Sequence, residues 1–197
     1  GLITDIGDWC LMQALQQAKS WNDQMPIKNK VTMAVNVSSL QFKQTKFAEH
    51  IISLVSHSGL PANLLELEIT ETAIMENPQQ TIDELHKLRE AGIRISMDDF
   101  GTGYSSLAQL KELPIDVLKI DKSFIDEIGQ SKSGNAIVAS IIDLAHSLEI
   151  GVIAEGVESQ PQFDFLQKSS CDIVQGYYFS RPLDKENSTE YLHRTLH

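Results

Sequence analysis

Apolar positions along this chain fall into two alternating rhythms. Ile3, Ile6, Trp9, Cys10, Met12 and Leu15 recur at the three- and four-residue spacing of a helix. A short apolar run over 31–37 predicts a strand, and a helical pattern through Phe47, Ile51, Leu54 and Val55 follows, closed by Gly59. The rhythm then repeats. Strands are expected over 65–70, 93–98, 116–120, 151–154 and 173–179. Between them lies a helix with Asn77 as N-cap, Pro78 in its first position and Gly92 past its end. Further helices are expected near 106–112, through Ile137, Val138, Ile141, Ile142, Ala145 and Leu148, and over 160–168, with a terminal amphipathic one carrying Tyr191 and Leu192.

Six strands alternating with helices predict a parallel sheet with both faces covered. An open doubly wound sheet and a (β/α) barrel both satisfy that pattern, and the polar residues separate them. Asn36 ends the first strand, Glu68 and Glu71 the second, Asp98 and Asp99 the third, Lys119 and Asp121 the fourth, and Glu155 the fifth, with Gln175 in the sixth. An open sheet concentrates its ligand contacts at one switch point, whereas every strand end of a barrel faces one centre. The expected fold is therefore α/β, a TIM-like (β/α) barrel. It is incomplete, since six strands are legible and a barrel has eight; the first strands would be missing, and 1–197 would form a single domain.

Alternation sharpens the chemistry. Ser96 and Asp98 share one strand face, as do Lys119 and Asp121, and Glu66, Glu68 and Thr70; Ile95, Met97, Leu118, Ile120, Leu67 and Ile69 take the other. An amide oxygen and several carboxylates converging at strand ends make a hard oxygen site of the kind that binds Mg²⁺ or Mn²⁺. The adjacent pair Asp98-Asp99 can reach two ions, as two-metal phosphoryl transfer requires. Gly101-Thr102-Gly103 is too short a glycine pattern to imply a dinucleotide cofactor.

Charge narrows the partners. A net charge of −11 argues against a nucleic-acid polymer as ligand, because that needs clustered Lys and Arg. No apolar run is long enough to cross a bilayer and no signal peptide opens the chain, so a cytoplasmic setting is expected. Cys10 and Cys171 read as buried or incidental thiols rather than a disulfide. The six histidines fall on expected helices or at the C-terminus without ligand spacing and read as surface or packing residues.

Six ordered segments resemble the motifs of EAL-domain cyclic di-GMP phosphodiesterases: Asn36-Val37-Ser38, Glu68-Ile69-Thr70-Glu71, the run from Asp98-Asp99-Phe100-Gly101 to Ser106, Leu118-Lys119-Ile120-Asp121, Ala154-Glu155-Gly156-Val157-Glu158 and Gln175-Gly176-Tyr177. Arg181-Pro182-Leu183 is similar to the family's closing segment. The resemblance implies metal-dependent hydrolysis of cyclic di-GMP to linear pGpG in bacterial second-messenger signalling. It implies Asn36, Glu68 and Asp98 as ligands of a first Mg²⁺ or Mn²⁺ and Asp99 as a ligand of a second. Lys119 would position the attacking water, Glu155 would act as general base or water orienter, and Gln175 would line the site beside Asp121. Glu71 would anchor the loop from Asp99 to Ser106, which the family links to dimerisation. A homodimer and upstream sensor or GGDEF-type domains are the implied partners.

The family's Glu-Ala-Leu segment, which carries a further metal-binding glutamate, has no counterpart here, so the chain as written is expected to be impaired. Two rival functions remain at this stage. One is a catalytically inactive receptor that binds cyclic di-GMP without cutting it. The other is an enolase-like Mg²⁺ barrel in which Lys119 is a proton-abstracting base.

Overall fold

Leu65, Leu67 and Ile69 alternate with Glu66, Glu68 and Thr70, and this alternation decides what each face of the sheet meets. The computed structural model describes residues 2–26, 29–76, 78–101 and 107–196. Among these are six strands: β1 (Met33–Val37), β2 (Leu65–Thr70), β3 (Arg94–Phe100), β4 (Val117–Ile120), β5 (Gly151–Ala154) and β6 (Ile173–Val174). Helix α1 (Leu2–Gln24) precedes β1. The connections carry α2 (Ser39–Phe42) and α3 (Phe47–Ser58), then α4 (Glu71–Glu76) and α5 (Pro78–Glu90), then α6 (Leu107–Glu112). Helices α7 (Lys122–Asp126) and α8 (Lys132–Ser147) follow β4, α9 (Gln160–Lys168) follows β5, and α10 (Lys185–Leu196) comes last.

Every strand pair is parallel, and spatial order equals chain order, β1-β2-β3-β4-β5-β6. A doubly wound sheet reverses its order at a switch point; this one never does. The sheet is an open, curled half-barrel with β1 and β6 at its edges.

On the outer face Leu65, Leu67, Ile69, Ile95, Met97, Leu118, Ile120 and Ala154 are all 0% exposed. They share one core with Leu15, Ile51, Leu85, Leu88, Val138, Ile142 and Leu166 from the covering helices. Burying each large aliphatic side chain contributes about 1.5–3 kcal/mol, so this layer is the main stabilising one. The inner face is buried too, but polar: Glu66, Glu68, Ser96 and Lys119 lie there. Charges are not sequestered in this way without partners.

Local chemistry ends the elements much as the sequence predicts. Gly59 (φ 70°) closes α3 in the left-handed region, and Gly92 (φ 86°) follows α5. Pro78 opens α5, while the expected cap Asn77 lies outside the described residues. Two strand expectations are corrected. The first strand starts at Met33 rather than 31, because the Val31 amide donates to Asn22 Oδ1 and its carbonyl accepts from Asn22 Nδ2, both at 2.9 Å. The last strand is only Ile173–Val174 rather than 173–179. Beyond it the Tyr178 amide donates to the Val157 carbonyl at 2.9 Å and the Phe179 amide turns back to the Gly176 carbonyl at 3.1 Å. Both cysteines are free thiols; Cys10 is exposed rather than buried, and Cys171 is half-buried, with burial pushing its thiol up to about 11. Two of the helical histidines pair at the surface, His50 with Asp8 and His146 with Asp172. Among the described residues no helix is long and apolar enough to cross a membrane.

Candidate active site

Parallel register carries the polar positions to one end of the sheet. Asn36 is the Cα partner of Glu68, Glu68 of Ser96, and Thr70 of Asp98. Glu155 follows β5 directly, its amide donating to the Ile120 carbonyl, and the Gln175 amide after β6 donates to the Ala154 carbonyl. Parallel strands share a direction, so residues at their C-terminal ends share a rim.

Lys119 is the hub of that rim. Its side chain is 4% exposed, and Nζ donates to Glu155 Oε1 at 2.6 Å and Glu68 Oε1 at 2.7 Å, with Asp98 Oδ1 at 3.3 Å. Three carboxylates, from β2, β3 and the end of β5, thus surround one ammonium, two of them as close hydrogen-bond acceptors. Burial alone would lower the lysine's pKa, but the hydrogen bonds to Glu155 and Glu68 outweigh it and hold Lys119 above its ordinary value. A lysine so held is a cation and a donor. The enolase-like role, which needs a free amine, does not fit it. Burial pushes the Glu155 carboxyl up, against the pull of Lys119.

Asp98 and Asp99 break the strand rule. Successive residues of a regular strand point to opposite faces. Here the register shifts between Met97 and Phe100, and Asp99 adopts a left-handed backbone with φ 57°. The Asp99 amide donates to Asp98 Oδ1 at 3.1 Å. Burial, then the charges of Asp98 and Asp121, raise the Asp99 carboxyl above the usual range. A non-glycine residue in that conformation stores about 1–3 kcal/mol, a cost typical of functional sites.

The segment after β3 is pinned from two sides. Glu71, 2% exposed, accepts from the Gly101 amide at 3.2 Å. On the other side the Phe124 ring lies so near Gly101 (φ 93°) that a Cβ there would come within 2.7 Å of it. Residues 102–106, the rest of that loop, lie outside the described residues. Asp121 caps α7, accepting from the Ser123 amide at 3.0 Å and the Ser123 hydroxyl at 2.5 Å; that hydroxyl holds its carboxyl below the ordinary value.

Gln175 lines a cavity of about 260 Å³ with Lys122, Gly156, Glu158 and Tyr177, and Glu155 joins that cavity to the lysine hub. The Arg181 guanidinium sits 4.7 Å from the Tyr177 ring centroid. Of these, Lys122, Phe124 and Tyr177 were not expected as site residues, because a lone lysine or aromatic beside a strand carries no spacing signal. Deeper on the inner face, Arg94 Nε lies 3.3 Å from the buried Glu66 Oε2, its register partner.

Among the described residues no three His, Cys, Asp or Glu side chains close on a common point for an ion. Glu68, Asp98 and Glu155 are instead gathered on the Lys119 ammonium. The donor chemistry still suits a hard divalent cation. Three carboxylates surround one ammonium, Asp99 adds a further negative charge, and the Asn36 position abuts Glu68.

Comparison with known proteins agrees with this architecture. The EAL domain family matches residues 1–182. Cyclic di-GMP phosphodiesterase NbdA of Pseudomonas aeruginosa is 42% identical over 192 residues, covering 98% of this chain and 24% of NbdA. The PaMucR phosphodiesterase solved in complex with c-di-GMP superposes with a TM-score of 0.89 at 38% identity, over 95% of this chain and 75% of that one. BlrP1 of Klebsiella pneumoniae, solved with manganese and cyclic di-GMP, gives a TM-score of 0.81 at 29% identity, over 91% of this chain and 45% of that one. An open parallel half-barrel with an acidic rim around a buried lysine defines the class, and the chain belongs to the EAL domain family. It spans about a quarter of the length of the curated relatives it matches.

Proposed function

We propose that this rim hydrolyses cyclic di-GMP to linear pGpG with the help of two divalent cations, Mg²⁺ or Mn²⁺. The observation that carries the reading is the buried Lys119 ammonium gathering carboxylates from three strands. Asn36, Glu68 and Asp98 would hold the first ion, and Asp99, at the bulge, the second. Bound there, the ions would neutralise phosphate charge and polarise the phosphorus. Lys119 orients the attacking water by hydrogen bonding, and Glu155, 2.6 Å from Lys119, accepts its proton. The water oxygen bonds to phosphorus, the P–O3′ bond breaks, and the proton that Glu155 took from the water passes to the departing 3′ oxygen. Glu71 fixes the start of the loop after β3, and Gln175 with Asp121 lines the approach to the rim. The dianionic ligand could not enter so acidic a pocket without cations, which is why metal and substrate belong to one proposal.

Homodimerisation belongs to the same reading, as does regulation by sensor or GGDEF-type domains elsewhere in a longer protein, the latter supported by the much greater length of the relatives. The experiment is chromatographic: cyclic di-GMP is incubated with the full-length protein and Mn²⁺ or Mg²⁺, with and without excess EDTA. The expected product is pGpG, formed only without chelator. Tight nucleotide binding without pGpG would make the protein a receptor, and undiminished turnover in EDTA would remove the metals from the reaction.

A further inference from the structure

Lys119 donates to Glu155 and Glu68 and pairs with Asp98 at 3.3 Å, and Glu68 and Asp98 are proposed ligands of the first ion. From this geometry we infer that Lys119 is a competitor for metal loading: a divalent cation must take Glu68 and Asp98 oxygens from its ammonium, and Glu155 is the residue that draws the lysine aside. The inference rests on the metal-ligand assignment made above.

The same oxygens cannot serve both cations at full strength. Glu68 Oε1 is 2.7 Å and Asp98 Oδ1 3.3 Å from Nζ, whereas a hard divalent ion demands carboxylate oxygens at about 2.0–2.2 Å and repels an ammonium at such range. Lys119 is confined by burial and has little room to withdraw. Its remaining anchor is Glu155 Oε1 at 2.6 Å, the shortest of the three contacts and the only one from a residue outside the first ion's proposed set. Once Glu68 and Asp98 turn to an ion, Lys119 stays on Glu155 with N–H groups released, and those are the groups that hold a water beside it. One displacement therefore loads the ion and arms the lysine. Without an ion, the same ammonium keeps neighbouring carboxylates from repelling one another.

The test is Mn²⁺ affinity of the full-length protein, measured by calorimetry without nucleotide. Lys119→Met is expected to tighten binding by at least about tenfold, since it frees both ligands and removes a positive charge. Glu155→Gln is expected to weaken it several-fold, because Lys119 then has only Glu68 and Asp98 as charged partners. A merely structural role for Lys119 and Glu155 would weaken binding in both variants. Thermal melting provides a second readout if Lys119→Met is unstable: the rise in Tm on adding Mn²⁺ should be larger in Lys119→Met, or in the milder Lys119→Gln, than in the wild type. Equal or weaker affinity in the lysine variants overturns the inference while leaving the metal site standing. Failure of the wild type to bind Mn²⁺, or undiminished binding in Asp98→Asn, overturns the ligand assignment itself.

Discussion

Asp172, the residue before β6, accepts a hydrogen bond from the Val152 amide at 2.8 Å, just as Asp116, the residue before β4, accepts one from the Ile95 amide at 2.9 Å. In each case the aspartate lies at the start of one strand and holds an amide near the start of the strand before it. Each also pairs with a cation-capable side chain of the preceding region: His146 on α8 at 2.9 Å and Arg89 on α5 at 2.8 Å. One device thus recurs at the rim opposite the site, tying strand to strand and strand to helix.

A pH dependence follows from Asp172. Burial pushes its carboxyl up, but hydrogen bonds from His146 and from the Val152 amide outweigh that and hold it below its ordinary value. A folded-state pKa below the unfolded one contributes stability above the unfolded pKa of about 3.9, and that contribution fades as pH falls through the folded value. Asp172→Ala is expected to cost about 0.5–1.5 kcal/mol at pH 7, a modest figure because the side chain is 48% exposed. The gap between wild type and variant should shrink below about pH 4. Urea melts across pH measure this; a gap that persists or widens as the pH falls below about 4 would contradict the assignment.

Gly176 is the tightest backbone approach near the site. A Cβ there would lie 2.1 Å from the Val157 carbonyl oxygen and 2.3 Å from its nitrogen, both backbone atoms that the Val157–Gln175 and Tyr178–Val157 hydrogen bonds hold in place. Gly176→Ala is expected to destabilise by more than about 3 kcal/mol. Gly156→Ala should also be costly, since its φ is 70° and a Cβ there would lie 2.7 Å from Lys122 Cβ, which no rotamer change can move, but less so than Gly176→Ala because it meets no backbone atom. Comparing the two melting temperatures decides the ranking.

Asp99 combines a left-handed backbone with like-charge neighbours. Asparagine tolerates that backbone well and removes the repulsion. Asp99→Asn is therefore expected to melt a few degrees higher than the wild type in EDTA. Its turnover should fall, and the Mn²⁺ concentration needed for half-maximal rate should rise. A lower melting temperature with unchanged metal dependence would count against both the strain and the ligand role.

Lys119→Ala and Glu155→Ala should each lower turnover by about 10²–10⁴-fold while changing nucleotide affinity far less, as expected of groups that act on the attacking water. Calorimetry beside a rate assay separates the two effects. Loss of binding with normal turnover per bound ligand would reassign Lys119 to substrate capture.

Much of the fold is legible from residue pattern. Leu65–Thr70, Gly151–Ala154 and Gln160–Lys168 fall where the apolar pattern along the chain puts them, because that signal acts within a few residues. The parallel sheet, and the gathering of Asn36, Glu68, Asp98, Lys119 and Glu155 toward one rim, follow from alternation along each strand. Short helices such as α2, α4 and α7 escaped, since four to six residues cannot display a helical period.

Other features were decided only in three dimensions. The apolar run over 173–179 has the composition of a strand, yet it ends after Val174 because Gly176 seats against the Val157 backbone, a contact between residues far apart in the chain. The sequence offers Asp98 and Asp99 as a pair, but the register shift against β4 and the left-handed backbone of Asp99 are visible only in the folded sheet. Carboxylates and a lysine at strand ends are visible in one dimension; which of them touch is not. Sheet curl and strand register set those distances, and through them Lys119 meets Glu68, Asp98 and Glu155 at once while Gln175 lines a neighbouring cavity. Residue chemistry and spacing therefore determine which groups reach the rim, and long-range packing determines which pairs lie close enough to share a proton or an ion.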